Sequence, residues 1–356
     1  MKVRLVRRDS ASRMAMLAAP VLALVLTCLT SLILFAALGK PAGVALHALL
    51  LKPFLSWYSF SEVLLKTAPL LLIAQGLAIG FRANVFNIGA EGQFVIGAIC
   101  ASAFPVYFPN GDLPMMLPAM IICGALGGMA YALIAAALRT RFGASEILVT
   151  LMLTLIAIQI LNYLLLGPWK DPRGFNFPQT VMFPFNALLP ILIEGTRTNI
   201  SLIFALVASV FTYLMMQHHF GGYQLRTAGL APKAALYAGF SAPRLIWISL
   251  AFGGLAAGIA GASEVAGPLG QLQRSVATGY GFAAIIVAYL GGLNPIGIVI
   301  SSFIISALYI GGDSATVSAG LPVAAVEVFQ GMLLGFYLLT FTLIRYRIEF
   351  DRRIAA

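Results

Sequence analysis

Along this chain, apolar runs close to 20 residues long alternate with short polar stretches. The runs lie roughly at 14–38, 60–80, 87–108, 115–138, 145–166, 200–217, 245–265, 280–292, 295–311 and 322–344. A helix needs about 20 apolar residues to cross a bilayer, whereas barrel strands would show shorter, alternating segments. The pattern predicts an all-α polytopic membrane protein with about ten transmembrane helices, a single transmembrane domain over residues 1–356. The eighth run is short and rich in glycine, which suits a re-entrant or broken helix. The first is too long for the apolar core of a cleaved signal peptide and reads as a membrane helix.

Composition sharpens this reading. The chain is 60% hydrophobic and 10% charged, against about a quarter charged in soluble domains, and its mean hydropathy is +0.96. The formal net charge of +10 points to topology rather than nucleic acid, because basic residues mark the cytoplasmic loops of membrane proteins. With the N-terminus placed inside and the spans alternating, Lys40, Lys52, Lys66, Lys170, Arg173, Arg197 and Arg274 fall outside. The other fifteen of the 22 Lys and Arg residues fall inside. That bias predicts N-in, C-in and an even number of spans. It also leaves two long polar connections, an extracytoplasmic loop at 167–199 and a cytoplasmic loop at 218–244. The first either docks a partner or covers helix ends.

Little in the chain resembles catalytic chemistry. There is no G-x-x-x-x-G-K-[S/T] phosphate loop and no H-E-x-x-H pair. His47, His218 and His219 lack the spacing of a metal set, and Cys28, Cys100 and Cys123 lie in apolar runs. Asp313 has no second aspartate within a span to form a proteolytic dyad. No catalytic residue and no metal site is expected. The ionisable residues near the spans, Glu62, Lys66, Glu91, Glu146, Glu264 and Glu327, are scattered and mostly close to helix ends. An ion-coupled carrier builds its site near the midplane, so the energy for transport is expected to come from a separate subunit.

Two polar stretches remain. Residues 228–239, A-G-L-A-P-K-A-A-L-Y-A-G, suit a short amphipathic helix. Pro232 fits a first helical turn, Ala234, Ala235 and Ala238 give a small-sided face, and Gly239 fits a helix end. Such a helix is either a lever into a cytoplasmic partner or an interfacial helix without one. The second stretch, F-R-A-N-V-F-N-I-G-A-E-G-Q-F at 81–94, holds five polar side chains between two apolar runs. Arg82 suits the headgroup region and Asn87 suits a cap on the next helix. If the segment is helical, Asn84, Asn87 and Glu91 share one face, while Gly89, Gly92 and Gly97 permit close packing. These polar residues either line the inner end of a pathway or lock helices beside it.

The motifs F-N-I-G-A-E-G-Q at 86–93, G-A-S-E-I-L-V-T-L-M-L at 143–153, G-L-A-P-K-A-A-L-Y-A-G at 229–239 and G-G-L-N-P-I-G at 291–297 resemble the permease subunits of bacterial ABC importers for nucleosides and simple sugars. These belong to the superfamily of ribose and branched-chain amino-acid permeases. The resemblance runs from about residue 60 to 340, and its most specific block is 86–93. It implies a multi-pass protein of the bacterial inner membrane working by alternating access. Its implied partners are a cytoplasmic ABC ATPase, a second, different permease and an extracytoplasmic solute-binding protein, with ATP and Mg held by the ATPase and no cofactor in this chain.

The resemblance makes Gly229, Pro232, Lys233, Ala234, Ala235 and Gly239 the coupling contact to the ATPase. Candidates for pathway or gate are Asn84, Asn87, Glu91, Gln93, Glu146 and Thr154. Phe86, Asn162, Tyr163 and Tyr289 are the candidate solute-lining residues, aromatics for stacking and amide or hydroxyl groups for a ribose. The sequence departs from the common form at Ala231 and at Thr154, where asparagine is usual, and the second departure bears on which solute is carried. The rival readings are a stand-alone ion-coupled carrier, and an ABC permease for a pentose, a hexose or a branched-chain amino acid.

Overall fold

The computed structural model describes residues 2–7, 13–111 and 113–351. In chain order the elements are β1 (Lys2–Arg7), α1 (Arg13–Ala37), α2 (Ala42–Leu50), α3 (Lys52–Leu55), α4 (Trp57–Arg82), α5 (Ala90–Tyr107), α6 (Met116–Phe142) and α7 (Glu146–Leu166). There follow α8 (Ser201–His218), α9 (Phe220–Leu230), α10 (Pro232–Tyr237), α11 (Ala242–Glu264), α12 (Tyr280–Leu290), α13 (Pro295–Ala319), α14 (Val323–Arg345) and β2 (Tyr346–Asp351). A single π-helical turn, Val265–Leu269, prolongs α11.

All ten apolar runs are helical, and eight of them are full-length candidate spans. Among the described residues, eight helices are long and apolar enough to cross a membrane: α1, α4, α6, α7, α8, α11 with its π turn, α13 and α14. Helix α5 has 18 residues and carries Glu91 and Gln93 in its first turn. Helix α12 has 11 residues, about 16 Å at 1.5 Å per residue, well short of a hydrocarbon core about 30 Å thick. The eighth run is thus the short helix its glycines suggested. A strand pair was not expected. β1 and β2 pair antiparallel with Lys2 opposite Asp351 and Arg7 opposite Tyr346, so the two ends of the chain lie together.

The chain forms two compact units, residues 1–59 with 307–356, and residues 60–306. In the smaller unit α1 packs along α14. There Gly311 lies against the backbone of Leu49, where a Cβ would come within 1.9 Å of the carbonyl oxygen.

The larger unit is built on a glycine seam. α5, α6 and α11 make the most extensive helix contacts of the chain. Gly124 and Gly128 of α6 face Gly254 and Gly258 of α11, and a Cβ on any of the four would lie within 2.7 Å of the opposing helix. Gly97 of α5 meets Gly258, and Gly261 meets the carbonyl of Phe94. Lipid tails are as apolar as leucine, so association in the bilayer relies on close van der Waals packing, which small residues four apart allow. Almost every residue of α4 from Ser61 to Phe81 is buried. Its Gln75 donates from Nε2 to Ser209 Oγ (3.0 Å) and to the Pro295 carbonyl (2.9 Å), tying α4 to α8 and to the start of α13.

Candidate functional site

The site grows from the end of α4. Asn84 adopts a left-handed conformation, φ 58°, which asparagine tolerates better than most side chains. The Val85 N–H donates to the Gly80 carbonyl (2.9 Å) and the Asn84 N–H to the Phe81 carbonyl (3.2 Å). This 6→1 and 5→2 pair closes a helix through a left-handed residue. The expectation that Asn84, Asn87 and Glu91 share a helical face is therefore corrected. The chain is non-helical from 83 to 89, because Asn84 stops α4 and Gly89 precedes α5.

An unwound segment in a membrane protein must find partners for its backbone. Here side chains provide them. The Ile88 N–H donates to Thr150 Oγ1 (3.2 Å), and the Phe86 N–H makes a long contact of 3.5 Å with Glu146 Oε1. Glu146 is held in turn by Arg139 at 2.5 Å. The Gly89 N–H donates to Asn87 Oδ1 (3.1 Å). Asn87 thus serves the residue before α5 rather than the first turn of the helix itself. Asn87 and Gln93 also form a reciprocal amide pair, Nδ2 to Oε1 at 2.8 Å and Nε2 to Oδ1 at 3.0 Å. Both side chains are buried.

Glu91 reaches a third element. Its two carboxylate oxygens accept from the Gly279 N–H (2.8 Å) and the Gly281 N–H (2.6 Å), at the start of α12. Free N–H groups and the positive end of the helix dipole favour a carboxylate there. Gly281 makes the approach possible, since a Cβ on it would stand 2.1 Å from the Glu91 nitrogen. Near its other end, α12 places Tyr289 in a stack on Phe81, centroids 5.2 Å apart, and Phe81 also meets Phe86 at 5.8 Å. Two expected lining residues, Phe86 and Tyr289, thus join one aromatic cluster.

Thr154, one of the pathway or gate candidates, is buried at the contact between α7 and α5, where a Cβ on Gly92 would come within 2.7 Å of its Cα. Gly89 presses in the same way on Thr150, one turn earlier. The other two expected lining residues lie far along α7. Tyr163 is 70% exposed, and Asn162 Oδ1 is buried with no hydrogen-bond partner.

The 218–244 segment meets this assembly from one side. The single helix expected over 228–239 is two: Ala228–Leu230 end α9, and Pro232 starts α10. Ala231 lies between them in a non-helical conformation, φ −144°, because proline cannot continue the hydrogen-bond ladder. Gly239, φ +77°, ends α10, with its N–H on Leu236 O and the Phe240 N–H on Ala235 O. Ala235 is buried, whereas Pro232, Lys233, Ala234, Leu236 and Tyr237 are exposed. A small crevice beneath α10, about 160 Å³, is lined by Ala83, Asn84, Val85, Arg139, Pro232 and Ala235 among others. Gly229 closes the contact: a Cβ there would lie 2.0 Å from the Arg82 carbonyl. The end of α9 therefore rests on the last residue of α4.

At the far end of α4, Arg197 grips Glu62 with two hydrogen bonds, Nε to Oε1 at 2.9 Å and Nη2 to Oε2 at 2.5 Å. Thr198 Oγ1 donates to the Ser61 carbonyl. The 167–199 loop also pairs with residues beyond α11, Thr180 N–H to Leu272 O and Phe183 N–H to Gly270 O. Its Phe175, Phe177, Met182 and Phe185 are exposed.

An exposed short helix beside the turn between two buried helices, with a helix too short to span held by Glu91 of α5 and Phe81 of α4, suits a transport subunit. Comparison with known proteins decides the matter. The family described as branched-chain amino acid transport system / permease component matches residues 59–338. The chain belongs to this family. It is 33% identical to a glucose ABC transporter permease protein of Haloferax volcanii, covering 92% of this chain and 90% of the relative. Identity is 29% to a guanosine ABC transporter permease protein of Bacillus subtilis, over 91% of this chain and 93% of the relative. A nucleoside ABC transporter permease protein of Lactococcus lactis is 28% identical over 90% of each chain. No solved structure matches. The family match begins and ends close to the larger unit and α14, so it includes the whole site from Arg82 to Tyr289. As a family permease the chain is a multi-pass membrane transport subunit.

The sequence reading missed three of the side chains that hold this site. Thr150 carries a backbone N–H of the unwound segment, Arg139 holds Glu146, and Phe81 carries Tyr289. Only the first left a signal, a threonine inside a run that the family resemblance had already marked.

Proposed function

We propose that this chain is one of two transmembrane subunits of an ATP-driven importer for nucleosides or a related sugar-like solute. It forms half of the solute pathway and couples to a separate cytoplasmic ATPase that binds ATP and Mg. The observation that carries the coupling is the seat of α9 and α10 on the α4–α5 turn, through Gly229 on Arg82. From that turn the chain leads through Asn87 into α5, whose Gln93 pairs with Asn87 and whose Glu91 holds the start of α12. A push on α10 is thereby delivered to a helix too short to span, the kind of element that re-aims during alternating access.

In this reading the 218–244 segment and both termini face the cytoplasm. The pairing of β1 with β2 supports placing the two ends on one side, and the distribution of Lys and Arg supports which side. The 167–199 loop then faces outward and receives the solute-binding protein. The membrane is the cell membrane, since the similar proteins include an archaeal one beside the bacterial ones. The solute class follows the names of the relatives, guanosine and nucleoside on one hand and glucose on the other.

The test is purification of the tagged chain in mild detergent, followed by reconstitution. A P-loop ATPase and a second permease are expected to copurify, and proteoliposomes are expected to take up nucleoside or sugar only with ATP. A chain that purifies alone and transports on an ion gradient without ATP overturns the reading. Gly239→Arg is expected to abolish uptake with insertion intact, because the left-handed turn that ends α10 disfavours any side chain.

A further inference from the structure

Helix α7 is the least enclosed of the long apolar helices of the larger unit, followed by α8. Thr150, Thr154, Ala157, Leu161 and Leu165 form its buried stripe. The opposite face is exposed, and on α8 the equivalent face is wholly apolar, from Ile203 to Leu214. The exposed face of α7 differs. At 100° per residue, Gln159 stands almost directly opposite the buried stripe, with Tyr163 one turn on. Among the described residues of the larger unit, Gln159 is the one exposed amide or charged side chain more than a turn from either end of a spanning helix. It lies about 10 Å of helix from Leu166, inside the hydrocarbon region.

A polar side chain aimed at hydrocarbon is costly, so polar groups at this depth face a water-lined cavity or another chain. We infer that the outer face of α7, centred on Gln159 with Tyr163 one turn on, lines a water-filled solute path and contacts a neutral, hydroxyl-bearing solute. A carboxamide and a phenol offer donors and acceptors without charge, and Tyr163 adds a ring for a sugar or base face. No charged side chain stands on that stripe, which disfavours an ionic solute. This inference rests on the importer reading for its solute class, while the aqueous face stands on α7 alone.

The experiment places Gln159→Cys, Tyr163→Cys and, as a lipid-facing control, Val210→Cys in the assembled transporter in proteoliposomes. The unsubstituted chain, with Cys28, Cys100 and Cys123, gives the background. Each is exposed to a charged, membrane-impermeant thiol reagent and to a lipid-soluble one. Gln159→Cys and Tyr163→Cys are expected to react with the charged reagent and Val210→Cys only with the lipid-soluble one, and saturating nucleoside or sugar is expected to slow the first two. Reaction of Gln159→Cys only with the lipid-soluble reagent overturns the inference. So does protection from both reagents with cross-linking to the partner permease. Gln159→Leu is expected to raise KM about tenfold, the loss of roughly one solute hydrogen bond, with Gln159→Asn retaining part of the affinity. An unchanged KM in Gln159→Leu removes the solute contact. Labelling by the charged reagent in a transporter that shows no ATP-dependent uptake keeps the aqueous face and overturns the importer reading instead.

Discussion

Asn87 and Gln93 satisfy one another in a place where water does not reach. A buried amide without a partner costs about 1–3 kcal/mol, whereas replacing both partners by apolar groups of similar shape is nearly neutral. Asn87→Leu alone is therefore expected to lower thermal stability in detergent, and Gln93→Leu likewise. The double variant is expected to recover much of the loss contributed by the pair. The remaining deficit reports the bond from Asn87 to the Gly89 N–H. Thermal unfolding of the four proteins, read as a double-mutant cycle, checks this, and strict additivity rejects the pairing. Asn84 supports a second residue-scale expectation. Its left-handed conformation costs most other side chains about 1–2 kcal/mol, so Asn84→Val is expected to destabilise the protein and Asn84→Gly to leave its melting temperature close to that of the parent.

At the scale of elements, α12 depends on its neighbours. Eleven residues cannot span the bilayer and are marginal as a free helix. Glu91 holds its first turn, and the Phe81–Tyr289 stack holds its last. Glu91→Ala removes the acceptor from both the Gly279 and Gly281 N–H groups and is expected to cut uptake strongly. Glu91→Gln keeps an acceptor but loses the attraction between charge and helix dipole, about 0.3–2 kcal/mol, and is expected to fall between the two. Equal uptake by Glu91→Ala and the parent would show that α12 does not need this cap. The seat of α9 gives a sharper expectation. Gly229→Val places side-chain carbons where the Arg82 carbonyl already stands. Overpacking of this kind costs about 1–3 kcal/mol, at the joint between α9 and the α4–α5 turn. ATP-driven uptake is expected to fall about tenfold or more, with ATPase activity of the complex less dependent on solute and membrane insertion unchanged.

For the whole molecule, much of the architecture was legible in the chain. The length of the apolar runs alone indicates a helical membrane protein, because a bilayer offers few alternatives to helices about 20 residues long. Pro232 and Gly239 marked α10 correctly, since proline and glycine act through local backbone geometry. Glycines in the 86–93 motif marked close packing, but not against what. The hairpin-like pairing of Lys2–Arg7 with Tyr346–Asp351 left no trace in the hydrophobic pattern, because it joins segments more than 330 residues apart and outside every apolar run. The break at Ala231 was also missed, where the order of α9, break and α10 depended on how far the preceding helix ran before Pro232.

Sequence by itself determined the class of protein, the helical runs, the short eighth helix and the residues able to stop or start a helix, since each follows from local stereochemistry or from the thickness of a bilayer. The partners were decided only in three dimensions. Whether Glu91 lined a path or capped a helix depended on Gly279 and Gly281, nearly 190 residues away in the chain. How deeply Thr154 is buried depended on how closely Gly92 approached it, and the exposure of Gln159 depended on which side of α7 was left uncovered. Such outcomes rest on burial and on long-range contact, and one polar residue type serves as cap, lock or lining according to what the fold sets opposite it.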